Sequence, residues 1–147
     1  MGAGKSTVGR AVAARAGVSF VDLDAAIGDV PAIFAAEGEA GFRARERDAL
    51  SRLVIGAGVI ALGGGTLVDP RNREALAGWR VVVLMAPREV LAARVGTGEG
   101  RPLAAQLERL LAERAGLWPL CGPVVETGGR DIAAVVDEVL SLCRTSA

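Results

Sequence analysis

Short, nearly continuous apolar runs alternate with stretches of helical periodicity along most of this chain. Val8, Ala11, Val12 and Ala16 recur at helical spacing and Gly17 follows them, which predicts a helix from Thr7 to about Ala16 stopped by the glycine. A strand-length run containing Val18, Phe20, Val21 and Leu23 comes next. Gly58–Leu62 is a second short apolar run, ended by Gly63-Gly64-Gly65. Arg80–Met85 is a third, β-branched and apolar after its first residue, and Pro123–Glu126 a weaker fourth. Between them, helices are predicted over Glu39 to about Ile55, Arg71–Ala77, Arg88–Val95, Ala104–Ala115 and Ile132–Leu142. Pro87 suits a first helical turn and Asp131 can cap the last helix. Apolar strands separated by helices predict an α/β fold with a parallel sheet covered on both faces. There is no internal repeat and no linker. A glycine-rich stretch, Gly96–Gly100, reads as a mobile loop leading into Arg101-Pro102-Leu103.

Composition narrows the picture. A chain of 147 residues makes one domain with room for a proper core. Half its residues are hydrophobic yet only 3% are aromatic, so that core must be mostly Ala, Val and Leu. Lys+Arg and Asp+Glu both total 17, a balance that argues against a general nucleic-acid or membrane surface. Lys5 is the only lysine; the arginines favour planar, bidentate recognition of phosphates and carboxylates. With no histidine, general-base work must fall to a carboxylate. Cys121 and Cys143 lack metal-type spacing and read as free, buried thiols. No signal peptide or membrane-length apolar run is present, and the expected setting is a cytoplasmic monomer.

The most informative chemistry lies at the start. Met1-Gly2-Ala3-Gly4-Lys5-Ser6-Thr7 is the back half of a phosphate-binding loop, followed by a helix and then a strand. Its glycines allow backbone N–H groups to line an anion nest, and the helix aims its positive end at the same anion. Lys5 places a compact charge on the outer phosphates, and the Ser6 hydroxyl is suited to Mg²⁺. Further along, Asp22-Leu23-Asp24 falls at the C-terminal end of a predicted strand, the edge where α/β sheets bind ligands. Residues two apart on a strand share a face, so one carboxylate could serve Mg²⁺ through water while the other takes a proton from a hydroxyl. The plainer alternative is an acidic turn capping the next helix. Gly63-Gly64-Gly65 offers backbone N–H groups to a close ligand. Arg43 and Glu46 lie one turn apart on a helix, where an ordinary surface ion pair is the plainer alternative.

Taken in order, these pieces resemble the shikimate kinase family, small P-loop enzymes with a nucleoside-monophosphate-kinase-like fold. The matching segments are MGAGKSTVGR, Asp22 to Asp24, the GE-x-x-FR-x-x-E run from Gly38 to Glu46, and ALGGG from Ala61 to Gly65. The RPL at Arg101 and Arg114 ahead of Leu117-Trp118 complete the set, which covers nearly the whole chain. The resemblance implies a three-layer α/β kinase domain over 1–147, with a lid at about 96–113 and an acceptor-binding segment at about 24–55. It implies that Gly2, Ala3, Gly4, Lys5, Ser6 and Thr7 hold ATP, that Ser6 and Asp22 serve Mg²⁺, and that Arg101 reaches the phosphates from the lid. Asp24, Arg43, Gly64, Gly65 and Arg114 would hold shikimate, with Glu46 orienting Arg43. Lys5, Asp24 and Arg101 would be catalytic, and Arg94 and Arg130 adenine-side contacts. The implied reaction is ATP-dependent phosphorylation of a shikimate hydroxyl, in aromatic amino acid biosynthesis. A nucleotide-binding module without transferase activity, and a kinase for another polyol acid such as gluconate, are the alternatives.

The chain also departs from the family pattern. The stretch between Asp24 and Phe34 and the lid between Arg101 and Arg114 are both short. Trp118 stands where Tyr is usual, and Gly116 where Pro is usual. The loop begins at residue 1, so its leading glycine and the family's first, central strand are missing. The natural protein is therefore expected to begin upstream with an apolar strand of about five or six residues. The chain starting at Met1 is expected to be poorly soluble or partly unfolded.

Overall fold

A computed structural model describes residues 2–56, 58–87, 89–91 and 116–144. Helix α1 spans Lys5–Ala16, strand β1 Phe20–Asp22, α2 Leu23–Ile27, α3 Val30–Leu53 and β2 Val59–Ala61. A 3₁₀ turn, Thr66–Val68, leads into α4, Pro70–Ala75. Strand β3 covers Val83–Met85, α5 Trp118–Cys121, β4 Val124–Glu126 and α6 Ile132–Arg144. The backbone groups into two compact units, Gly9–Trp79 and Met1–Val8 with Arg80–Ala147. The expected lid over 96–113, the helix over 104–115, and Arg94, Arg101 and Arg114 lie outside the described residues.

In the unit Gly9–Trp79, β1 and β2 pair in parallel with Phe20 opposite Val59 and Asp22 opposite Ala61. Helix α1 ends as its sequence dictates. Gly17 has φ +69°, and the Val18 and Gly17 N–H groups close on the Ala13 and Ala14 carbonyls at 3.0 and 3.3 Å. The ladder stops at Asp22, whose carboxylate accepts the Asp24 N–H at 3.1 Å and caps α2. Asp24 therefore stands in the first turn of a helix, and the strand periodicity that placed both carboxylates on one face does not reach it. The capping role weighed as the plainer alternative is the one Asp22 performs.

Helix α3 starts nine residues before the predicted onset at Glu39, because Asp29 accepts the Ala32 N–H at 3.1 Å and Pro31 sits in the first turn. Gly38, with φ 67° and ψ −172°, kinks it immediately before that predicted onset. Arg45 bridges the kink, donating from Nε and Nη2 to Glu37 at 3.0 and 2.5 Å. Beyond the kink, Phe42, Glu46, Ala49 and Leu50 are buried at helical spacing, and a carboxylate is among them. Helix α4 packs on α3 and on the 3₁₀ turn.

In the other unit, β3 and β4 pair in parallel with Val83 opposite Val124 and Met85 opposite Glu126. The predicted strand from Arg80 is shorter because the ladder begins only where the Val83 N–H meets the Pro123 carbonyl at 2.9 Å. Pro87 opens a helical turn, its carbonyl accepting from Val90 and Leu91 at 3.0 Å. Asp131 stands at the start of α6, where its carbonyl accepts from Val135 at 3.2 Å. Val135, Val136, Val139 and Leu140 form the buried stripe of that helix, which packs on β4; Cys143, beyond that stripe, is exposed, and Cys121 is half-buried, so neither is the buried thiol expected. Among the described residues no helix is long and apolar enough to cross a membrane.

Within Gly9–Trp79, Asp69 ties α4 to α3. It accepts the Arg71 N–H at 3.0 Å as the cap of α4, pairs with Arg71 Nη2 at 2.9 Å, and meets Arg47 Nη1 of α3 at 3.3 Å. The Arg71 side chain is the main reason its carboxyl is held down at about 2, from an ordinary 3.8. A depressed folded-state value means the stabilisation is complete above the ordinary value and is lost as pH falls through the depressed one. Asp69→Asn, which keeps the cap but not the charge, is expected to melt below the wild-type protein at pH 7. That gap should narrow as the pH falls from about 5 towards 2. Thermal melts across the range check this; a gap independent of pH would remove the charge from the explanation.

Candidate active site

The phosphate-loop residues belong to the unit that contains β3 and β4. Gly2 and Gly4 have φ +82° and +84°, whereas no non-glycine residue among those described has positive φ. Alternating signs across Gly2, Ala3 and Gly4 turn successive N–H groups to one side, the geometry of an anion nest. Helix α1 then opens at Lys5, with the Val8 N–H closing on the Gly4 carbonyl at 2.9 Å. The first-turn N–H groups of a helix have no partner within it, which is why anions settle there. Ala3, at 7% exposure, packs into a cluster with Ala86 and Leu91. Its carbonyl lies 3.1 Å from Thr127 Oγ1, which is also 3.0 Å from the Met85 carbonyl, so the single hydroxyl proton is shared between them. The Thr127 N–H adds a 2.6 Å bond to the same Met85 carbonyl. A buried threonine at the end of β4 thus anchors the middle of the loop. Lys5 and Ser6 are half-buried and Thr7 is exposed. Arg130, one turn beyond β4, donates to the Glu126 carbonyl at 3.0 Å and to Glu138 at 2.6 Å.

A second constellation forms within Gly9–Trp79. Glu46 is 1% exposed and its carboxylate is divided between two donors. Arg43 Nη1 donates to Oε2 at 2.7 Å, and Thr66 Oγ1 donates to Oε1 at 2.7 Å. The guanidinium lies flat against Gly65, where an added Cβ would sit 2.6, 3.0 and 3.1 Å from Nη2, Nη1 and Cζ. A side chain at residue 65 would push the guanidinium from this position. Arg43 also stands 5.2 Å over the Phe42 ring, which stacks on Phe34 at 4.7 Å between centroids, and reaches Glu39 at 3.6 Å. Asp24 is exposed, and its Oδ1 would be 2.9 Å from a Cβ at Gly63, with Glu46 Oε1 3.3 Å from the same point. Gly64 and Gly65 turn the chain into the 3₁₀ helix. Behind them, Asn72 Nδ2 donates to the Thr66 carbonyl at 2.8 Å and Arg73 Nη1 to the Leu67 carbonyl at 2.6 Å. One cation, one exposed carboxylate and a glycine platform therefore meet in a rigid frame. Such a set can clamp a carboxylate and accept a proton from a neighbouring hydroxyl.

The sequence profile of the shikimate kinase family matches residues 1–143. The chain belongs to that family. A shikimate kinase of Halorhodospira halophila is 44% identical over 95% of this chain and 89% of its own length. One from Aromatoleum aromaticum is 43% identical over 88% and 82%. Among solved structures, a shikimate kinase from Acinetobacter baumannii in complex with shikimate superposes with a TM-score of 0.88 at 36% identity, over 97% of this chain and 87% of that one. The Aquifex aeolicus shikimate kinase gives 0.82 at 27% identity, over 97% and 90%. The fold is thus the α/β P-loop kinase fold, and the protein is a kinase of a family that uses ATP.

Of the site residues expected from sequence, Asp24, Arg43, Gly64 and Gly65 fall in one unit, beside Glu46. Gly2 to Thr7 and Arg130 fall in the other, while Arg101 and Arg114 lie outside the described residues. Two threonines escaped the sequence reading. Thr66 directly follows the triple glycine and Thr127 directly follows the apolar run of β4, so their position at strand ends was the available signal. Thr127→Val keeps the shape and leaves the Ala3 carbonyl without its partner, a loss of about 1–3 kcal/mol. It is expected to lower the melting temperature and weaken ATP binding by calorimetry. Unchanged nucleotide affinity would show that the loop holds its conformation without this tie.

Proposed function

We propose that this shikimate kinase family member transfers the γ-phosphoryl group of ATP to a hydroxyl of shikimate, giving shikimate 3-phosphate and ADP. The observation that carries the reading is the Arg43 fork, held on buried Glu46 and pressed on Gly65, with the exposed Asp24 carboxylate beside Glu46 at Gly63. Shikimate carries a carboxylate for the guanidinium and hydroxyls for the base. A module that only bound nucleotide would have no use for this second constellation, and the comparisons favour neither that reading nor a gluconate kinase.

In the proposed reaction, Gly2, Ala3, Gly4 and Thr7 cradle the phosphates of ATP through backbone N–H groups, with Arg130 on the adenine side and Arg101 reaching in from a lid at about 96–113. Arg43 and Arg114 hold the acceptor carboxylate, and the Gly64 and Gly65 backbone lies along the acceptor. The acceptor hydroxyl oxygen bonds to the γ-phosphorus as the bond to the bridging oxygen of ADP breaks, and the hydroxyl proton passes to Asp24. Lys5 and Arg101 offset the charge that spreads over the transferring oxygens. Ser6 and Asp22, the residues that the resemblance assigns to Mg²⁺, would each offer the hard oxygen that this ion takes. When bound, Mg²⁺ neutralises charge on the outer phosphates. We further read the 1–147 chain as one kinase domain, a cytoplasmic monomer acting on small molecules. The even balance of 17 basic and 17 acidic residues supports that over a nucleic-acid or membrane partner.

A coupled ADP-release assay against shikimate, quinate and gluconate tests the reading, with turnover expected on shikimate. Asp24→Asn should lower kcat by roughly 10²–10⁴, and a change confined to the acceptor KM would make Asp24 a binding group instead. Lys5→Ala should abolish transfer at saturating ATP; near-normal turnover would sink the phosphate-loop assignment.

A further inference from the structure

A carboxylate held by a single partner keeps a soft torsion, because the last χ angle of glutamate is broad and roughly two-fold. Glu46 would be in that position if Arg43 were its only contact. Its second oxygen instead meets Thr66 Oγ1 at 2.7 Å, and both residues are buried, at 1% and 0% exposure. Two bonds on two oxygens fix the plane of the group as well as its place. Thr66 is itself immobilised. Its carbonyl accepts Asn72 Nδ2 at 2.8 Å, its N–H reaches the Gly63 carbonyl at 3.3 Å, and its β-branch restricts χ1. A threonine near a helix start commonly spends its hydroxyl on local backbone. This one donates to a carboxylate twenty residues earlier in the chain, and the 3₁₀ turn has no side-chain cap. Gly63 shows how tight the junction is, since a Cβ there would be 3.0 Å from Thr66 Oγ1, 2.9 Å from Asp24 Oδ1 and 3.3 Å from Glu46 Oε1.

We propose that Thr66 is a positioning residue of the acceptor site, its buried hydroxyl fixing the Glu46 carboxylate so that Glu46 holds the Arg43 fork in place for the acceptor carboxylate. This rests on the reading of Arg43 as the acceptor's carboxylate clamp. Loss of the hydroxyl leaves Oε1 of a buried carboxylate without its donor, and Glu46 turns away from Arg43 to find another. The acceptor then meets a fork that is present but not held.

The test compares Thr66→Val, Thr66→Ala and Thr66→Ser in steady-state assays with shikimate and ATP varied separately. The Val and Ala variants are expected to raise the KM for shikimate about tenfold or more, the scale of an unsatisfied buried acceptor. The KM for ATP should stay within about twofold, since the hydrogen bonds of Thr66 run to Glu46, Asn72 and Gly63. Thr66→Ser, which restores the hydroxyl, should bring the shikimate KM back to near wild type. In an Arg43→Lys background, Thr66→Val should add little, because both changes act on the same fork. An unchanged shikimate KM in the Val or Ala variant overturns the proposal. So does a parallel rise in both Michaelis constants, or a Ser variant as impaired as Ala. If the Val variant does not fold, the Ala and Ser pair decides. Arg43→Lys alone separates the two layers: no effect on shikimate KM defeats the clamp reading and this proposal together, whereas a rise there with silent Thr66 variants defeats only the proposal.

Discussion

Burying a carboxylate is unfavourable unless every lone pair it turns inward finds a donor, and Glu46 imposes that condition on the unit around it. The donors come from two directions, one turn back on α3 and across to the start of the 3₁₀ helix. The two elements must therefore keep a fixed spacing. Asn72 and Arg73 of α4 maintain it by holding the carbonyls of residues 66 and 67, and Asp69 ties α4 back to α3 through Arg47. A charge that looks like part of a surface ion pair in sequence is the fixed point of this frame.

The other unit solves a different problem with backbone groups. A phosphate loop must expose N–H groups on one side and still seal its other side against the core. Ala3 does the sealing with a methyl group packed on Ala86 and Leu91, while its carbonyl is satisfied by Thr127. Glycines on either side carry the positive φ values that the turn requires. The anion nest is thus held by one small buried side chain and one hydroxyl.

Preorganisation has the same physical meaning in both places. Arg43 and the Ala3 carbonyl are each held by a partner that is itself buried, Glu46 in one unit and Thr127 in the other, so little freedom is left to either. Among the described residues no buried side-chain nitrogen or oxygen lacks a partner. Phosphoryl transfer asks mainly for placement and charge compensation, and a frame of this kind supplies both.

Local patterns were legible without the structure. The loop glycines, the helix they feed, the glycine that stops it and the apolar strand runs all depend on interactions within a few residues, and each appears close to where periodicity put it. Helix α2 and the first part of α3 were not, because they rest on caps at Asp22 and Asp29 and on the Gly38 kink in an alanine-rich stretch, and α5, at four residues, is too short for periodicity to show. Helical spacing paired Arg43 with Glu46 as an ordinary surface ion pair, and the resemblance to shikimate kinases added that Glu46 orients Arg43. Amino-acid sequence by itself determined the α/β class, the family and the identity of the chemical groups, since these follow from local spacing and residue type. Tertiary structure alone decided that Glu46 is buried, that Thr66 completes its hydrogen bonds, that Arg43 lies on Gly65, and that Asp24 leaves the strand. Those outcomes turn on which segments distant in the chain come into contact, and on the energetic need to satisfy every polar group that such contact removes from water.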